Sequence, residues 1–232
     1  MAKKEFDHLA DSYKESISPW VRITGENIEF FAQSRIKWVA KQLKEIGIHP
    51  HKIMDFGCGV GLAVPFLLEE FGSDSQIIGV DVSSDSLEVA RSKYASQNIS
   101  FQSLDHYTPD HSVDLVYCNG VFHHIPLDER DGAVHYVCDS LQPGGFFALW
   151  ENNPWNPLTK YNMTHAEIDR NAIPINPPEG RKLVTANGLQ LLQMRYYFIF
   201  PAFLRFLRLL EPILSQIPLG AQYVVLSRKV AK

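Results

Sequence analysis

Two short stretches of the chain carry side chains able to hold a charged ligand. The first is Asp55-Phe56-Gly57-Cys58-Gly59-Val60-Gly61, which follows an apolar run and precedes a helical one. Glycines at such a junction let the backbone turn tightly and come close to a ligand. A dinucleotide fingerprint needs its third glycine at the position of Leu62, and the spacing here is GxGxG instead. Asp55, just ahead of the glycines, opposes a diphosphate at the helix N-terminus and suits positive charge. The second stretch is Gly79-Val80-Asp81-Val82, in which Asp81 can accept both hydroxyls of a ribose. Together they predict a nucleoside with a cationic tail and no diphosphate. The glycines alone also fit a plain strand-to-helix turn.

The elements that must position these residues follow from periodicity. Apolar residues at helical spacing predict one amphipathic helix over 25–46, stopped at Gly47. Strands are expected at 51–57, 76–82, 99–104, 113–118 and 145–150. Helices are expected between them at 60–71, 84–97 and from Pro126 to Gln142. That alternation means βαβ units and a parallel sheet covered on both faces. From 152 to 180, Asn153-Pro154, Asn156-Pro157 and Asn176-Pro177-Pro178 predict a long loop or lid. Two last strands are expected at 189–200 and 221–228, separated by an amphipathic stretch.

The 232 residues are 45% hydrophobic and 21% charged, values that exclude a disordered chain, a collagen-like repeat and a coiled coil. With a net charge of −4, nothing argues for bulk phosphate-backbone binding, and no nucleic-acid partner is expected. Cys58, Cys118 and Cys138 form no CxxC pair, so a disulfide framework is not supported and a reduced cytoplasmic setting is expected. The N-terminus enters no apolar run, and no uncharged stretch reaches the length of a membrane span. Nine histidines are present without HExxH or a carboxylate cluster, so no metal is expected.

Five motifs in order make the chain resemble the class I S-adenosylmethionine-dependent methyltransferases, especially the small-molecule branch that includes quinone-biosynthesis enzymes. They are Asp55 to Gly61, then Gly79-Val80-Asp81-Val82-Ser83, then Asp114-Leu115-Val116, then Val121-Phe122-His123-His124-Ile125-Pro126, and Leu141-Gln142-Pro143-Gly144-Gly145. Order and spacing agree over about residues 50–152. The resemblance implies a Rossmann-like, doubly wound α/β fold: a seven-stranded mixed sheet, mostly parallel with the last strand antiparallel, and an N-terminal helical lid. It divides one domain, 1–232, into lid helices (1–48), a cofactor-binding core (49–152) and an acceptor side (153–232).

It also implies roles. Gly57, Cys58 and Gly59 would admit the methionine part of S-adenosylmethionine, with Asp55 near its amino group and Asn119 against the same portion. Asp81 would hold the ribose and Val82 pack on the adenine. Ser103-Leu104-Asp105 leaves more than one alignment open for the residue meeting the adenine amino group, and Asp105 is taken here. Methyl transfer needs the acceptor in line behind the sulfonium methyl, and a base only where the acceptor has a proton to lose. His124 is the candidate base; the competing reading of His123 and His124 is as a helix cap or polar filler. Phe6-Asp7-His8-Leu9-Ala10-Asp11-Ser12-Tyr13 resembles the lid segment of the family, and phosphobase methyltransferases are similar in pairing such a tyrosine with a histidine. That suggests a Tyr13–His124 dyad, against ordinary lid packing for Tyr13.

Glu151-Asn152-Asn153-Pro154-Trp155-Asn156-Pro157 either lines the acceptor pocket or forms a rigid turn. Asn119-Gly120-Val121-Phe122 stands where DNA amino methyltransferases carry Asn-Pro-Pro-aromatic, which disfavours base flipping. The stretch 200–211, apolar with Arg205, Arg208 and Glu211, is expected first to cover the sheet; the other reading is a peripheral membrane contact presenting a lipid-like acceptor. The expectation is methyl transfer from S-adenosylmethionine, leaving S-adenosylhomocysteine, to a small-molecule or lipid-like acceptor, at oxygen ahead of nitrogen or carbon. The alternative from another class is a cofactor-binding regulatory or partner protein without turnover.

Overall fold

The computed structural model describes residues 24–166 and 169–230. Their frame is one seven-stranded sheet of order β3-β2-β1-β4-β5-β7-β6. The strands are β1 (Lys52–Phe56), β2 (Gln76–Asp81), β3 (Ile99–Ser103), β4 (Val113–Asn119), β5 (Leu141–Asn152), β6 (Leu189–Tyr197) and β7 (Gln222–Lys229). The first five run parallel, and β7 is antiparallel to both of its neighbours. This is the mixed, mostly parallel Rossmann-like sheet that the motifs imply. Strand order reverses between β1 and β4, and in such sheets a crevice opens beyond the strand ends at that point.

The central strands are apolar on both faces because both faces are covered. On one side α1 (Ile28–Glu45), α2 (Val64–Phe71) and α3 (Ser84–Tyr94) bring Ile36, Val39, Leu43, Val64, Leu67 and Leu87 against Ile53, Leu115 and Trp150. On the other, α4 (Arg130–Ser140) and α6 (Pro177–Ala186) place Val134, Val137 and Val184 against Met54, Val116 and Phe147. The Asn27 side chain caps α1 by accepting from the Phe30 amide. Ala32, Arg35, Ile36, Val39 and Leu43 are its buried residues, spaced so that one stripe faces the sheet. Trp38 of this helix meets Trp150 edge-on at 5.6 Å and donates to the Tyr197 hydroxyl at 2.6 Å.

Three expectations about the elements need correction. The segment 152–180 is not one long loop: it contains α5 (Pro157–His165), and α6 begins at Pro177. Asn156 and Asn176 are N-caps, and the proline after each occupies the first helical turn, where its missing N–H loses nothing. Asn176 and Glu179 complete a capping box. The same Asn-Pro pair that starts a turn therefore starts a helix when a register of partners follows it.

Second, α2 begins at Val64 and not at residue 60, because the glycine turn runs on through Ala63; α4 begins at Arg130, four residues after Pro126. Third, the stretch after β6 does not cover the sheet. It forms a 3-10 run, Ala202–Leu210, and a short helix α7 (Glu211–Leu214), neither with a buried residue. β6 and β7 pair directly, so their connection is free to lie outside the core. It is tied down at its polar points instead: Arg208 pairs with Glu26 at 2.8 Å and stacks over the Phe30 ring at 4.7 Å, and the Ala202 amide donates to the Thr24 carbonyl.

Candidate active site

The glycine turn closes directly on the ends of β1 and β2. The amides of Gly57 and Cys58 both donate to the Val80 carbonyl, at 2.8 and 3.1 Å. Gly57 has φ of +76°, and a Cβ there would lie 2.3 Å from the Val121 side chain. Gly59 has φ of +50° and open space where a Cβ would stand. One glycine is required by packing and the other leaves room for a ligand.

Asp81 ends β2 beside this turn. One of its carboxylate oxygens accepts from the Gly59 amide at 2.7 Å and the other from the Ser83 amide at 2.9 Å. Those bonds aim the carboxylate across the turn. Asp55, 3% exposed, accepts no hydrogen bond from a described residue. Burial, and then the nearby Asp81 carboxylate, push its pKa up to about 7. A buried carboxyl so perturbed at a strand end is where a cationic group of a ligand gains most. Cys58 is buried, and burial raises its thiol well above the usual range, so it lines the turn as a thiol and not as a nucleophile. Val82 is half-buried and Asp105 exposed, both following strands on the same rim of the sheet.

Beyond β4 the chain makes a 3-10 turn, Phe122–His124. Glu151, fully buried near the end of β5, holds it: one oxygen accepts from the Phe122 amide at 2.8 Å, and the other meets His123 Nδ1 at 2.6 Å. His123 Nε2 faces Asp169 at 3.4 Å. Burial opposes charge on His123, but Glu151 and then Asp169 outweigh it and push its pKa up to about 10. His124, less buried, has the opposite environment: burial and then the His123 charge lower its pKa to about 4, so its ring is neutral at physiological pH. Its Nε2 lies 3.6 Å from Asp169.

The turn borders a cavity of about 490 Å³ lined by α1, the ends of β4, β5 and β7, α5 and the stretch after β6. Asn119, Gly120, His123, His124 and Asp169 form its polar floor. Phe30 and Phe31 of α1, Leu158 and Met163 of α5, and Phe198, Phe200 and Phe203 form apolar walls. Two side-chain oxygens here, Asn119 Oδ1 and Asn162 Oδ1, are buried without a partner. Each such atom costs about 1–3 kcal/mol, which a donor on a ligand would recover. Arg35 also reaches the cavity: 7% exposed, it donates to the Tyr117 hydroxyl at 3.2 Å and to Gln222 at 2.9 Å, and no carboxylate among the described residues pairs with it. A buried guanidinium so placed is ready for an anion.

Gly57, Cys58, Gly59, Asp55 and Asp81 thus gather around one turn, and Asn119 and His124 stand on the cavity floor. Tyr13 lies outside the described residues. Arg35, Asn162 and Asp169 carried no signal as site residues, and Glu151 entered only as the start of a stretch read as pocket lining or a rigid turn. Glu151 reads as the start of a loop, yet it sits inside β5; a charge closing an apolar strand was the one hint available.

Residues 53–145 match the family model described as a methyltransferase domain. Trans-aconitate 2-methyltransferase of Rhodopseudomonas palustris (strain BisB18) is 29% identical over 100 residues, which are 43% of this chain and 38% of that protein. The chain thus spans about two-fifths of this relative. A SAM-dependent methyltransferase from Archaeoglobus fulgidus superposes with a TM-score of 0.61 at 15% identity, covering 84% of this chain and 94% of that one. Human N-acetylserotonin methyltransferase in complex with SAM gives 0.60 at 15% identity, covering 85% of this chain and 51% of that one. Residues 53–145 thus match a methyltransferase domain, and the sheet around them is the Rossmann-like frame of these solved structures.

Proposed function

We propose that the whole protein transfers the methyl group of S-adenosylmethionine to an oxygen of a lipid-like small molecule taken from a membrane surface. The observation that carries this is the wall shared between the cavity and the outside. Phe203 lines the cavity and is 75% exposed; beyond it Phe206, Leu209 and Ile213 project outward with Arg205. Across the same mouth Trp155, Leu158 and Tyr161 are exposed on and before α5, and Asn156 ties that side to the Leu219 carbonyl at 2.8 Å. Apolar and aromatic residues interleaved with Arg and Lys are suited to the membrane interface. No helix among the described residues is long and apolar enough to cross a membrane.

In this reading Asp55 faces the cofactor's ammonium, Arg35 its carboxylate and Asp81 its ribose, with Val82 and Asp105 on the adenine side. Asn119 accepts from the ammonium. The acceptor lies over Asn162 and His124 with its apolar body between the phenylalanines. Neutral His124 accepts a hydrogen bond from the acceptor hydroxyl, and Tyr13 assists it. The C–O bond forms as the C–S bond breaks, and the hydroxyl proton leaves through His124 to water. Trans-aconitate, the acceptor in the relatives' name, is a small tricarboxylate. This cavity offers it one guanidinium without a carboxylate partner, Arg35, since Arg208 is already paired with Glu26. Its acceptor side also comes mostly from residues outside the matched domain.

The test uses S-adenosylmethionine with a labelled methyl group, a cell-derived lipid extract and an aqueous extract, with anionic vesicles in a sedimentation assay. Label in the lipid fraction is expected, with vesicle binding that is lost in Phe206→Glu/Leu209→Glu. Label confined to water-soluble acids, with no sedimentation by the wild type, would refute the acceptor reading. Binding of cofactor with no label in either extract would favour the regulatory alternative.

A further inference from the structure

We propose that His123, His124 and Asp169 form a site for one divalent transition-metal ion on the floor of the acceptor cavity. The sequence predicts no metal because no ligand motif is contiguous. The fold assembles one from the 3-10 turn after β4 and the segment between α5 and α6. One ligand atom from each residue lies within 4.8 Å of the others. His123 Nε2 and His124 Nε2 stand 3.4 and 3.6 Å from the same oxygen of Asp169. Ligands held about 2.0–2.2 Å from a tetrahedral ion are themselves roughly 3.3–3.6 Å apart. These two spacings therefore need little adjustment.

The ligands are also fixed from behind. Glu151 engages Nδ1 of His123, which leaves Nε2 as the nitrogen turned to the shared centre. A carboxylate behind a histidine in this way sets the ring orientation and strengthens it as a metal ligand. The segment carrying Asp169 is tied to the same turn: the Ile173 amide donates to the His123 carbonyl at 2.7 Å, and Arg130 donates to the Ile173 carbonyl at 2.6 Å. All three ligand residues line the cavity, so the remaining coordination positions open toward the acceptor.

Two imidazoles and one carboxylate with open positions suit Zn²⁺, Fe²⁺, Co²⁺ or Mn²⁺. Mg²⁺ and Ca²⁺ prefer oxygen alone. An open position of the bound ion would take an oxygen of the acceptor, and the acceptor's proton would then pass to water and not to His124, whose Nε2 lone pair the ion holds. The proposal stands on the cluster itself and not on the acceptor being lipid-like.

The test strips the full chain with a chelator, then titrates it with Co²⁺ and Zn²⁺ at pH 8, following Co²⁺ absorption and metal content after dialysis. One equivalent per chain is expected, with a Co²⁺ spectrum of low coordination number. Affinity should fall at least about tenfold in Asp169→Ala and in His124→Ala and stay unchanged in His135→Ala, an exposed histidine on α4. S-adenosylmethionine binding, measured separately, reports whether each variant is folded and tests the methyl-transfer reading on its own. Absence of stoichiometric binding by the wild type overturns the proposal. So does binding that persists unchanged in folded Asp169→Ala and His124→Ala, which would assign the ion to surface histidines.

Discussion

Replacing Asp55 by Asn should stabilise the ligand-free protein and weaken it as a cofactor binder. The carboxyl is 3% exposed, faces the Asp81 carboxylate and has its pKa pushed from 3.8 to about 7. An acid whose folded pKa is raised is more easily ionised in the unfolded chain. Its ionisation therefore costs stability, beginning near pH 4 and complete above about pH 7. The shift is about three pH units, and at 1.36 kcal/mol per unit the cost at pH 8 approaches ~4 kcal/mol. Relaxation of the site and residual structure in the unfolded chain reduce this to roughly 2 kcal/mol. For a chain of this size that is about 4–8 °C in Tm.

The assay is thermal unfolding of wild type and Asp55→Asn between pH 5 and pH 8, without ligand. The variant's advantage should be largest at pH 8 and shrink toward pH 5, where the folded carboxyl is protonated. Titration calorimetry in buffers of different ionisation enthalpy should show the wild type releasing close to a proton when S-adenosylmethionine binds near pH 6, because the ligand's cations draw Asp55 back to its ionised form. The Asn variant should release less and bind at least about tenfold more weakly. A variant equally or less stable than wild type at pH 8, with unchanged cofactor affinity, would refute the electrostatic account of this residue.

The other predictions concern the supports of the site. Glu151→Gln removes the main partner of a buried imidazolium and should cost about 3–5 kcal/mol near pH 7, read by urea denaturation. His123 titrates high in the folded protein, so its contribution is fully present below about pH 6.5 and is lost as pH rises through about 10. The wild type should therefore lose stability from pH 8 to pH 10 more steeply than Glu151→Gln, and parallel curves would contradict the pairing. Gly57→Ala places a Cβ 2.3 Å from Val121 at a positive φ, and should lower both stability and cofactor affinity, whereas Val121→Ala in the same background should restore part of each. Recovery in neither quantity would show that the clash is not the reason for the glycine.

The sequence by itself determined the frame and the glycine turn. Both are local: apolar runs alternating with amphipathic ones require a covered parallel sheet, and Gly57, Gly59, Asp55 and Asp81 act within a few residues of two adjacent strand ends. Spacing along the chain reports such contacts because the backbone there has few other courses. The Asn-Pro pairs at 156 and 176 show the limit. One dipeptide serves a turn or a helix start, and only the partners that follow, such as Glu179 closing on Asn176, decide which. The acceptor side was decided by tertiary structure alone. Arg35 of α1, Asn162 of α5 and Asp169 after α5 line one cavity, and Glu151 reaches it through His123, only once β5 lies beside β4 and α5 folds over the cavity. The exposure of Phe203 and Leu209 follows from the direct pairing of β6 with β7, which leaves their connection no sheet face to cover. Amphipathic spacing states that a face is apolar, but not whether protein or another medium lies against it.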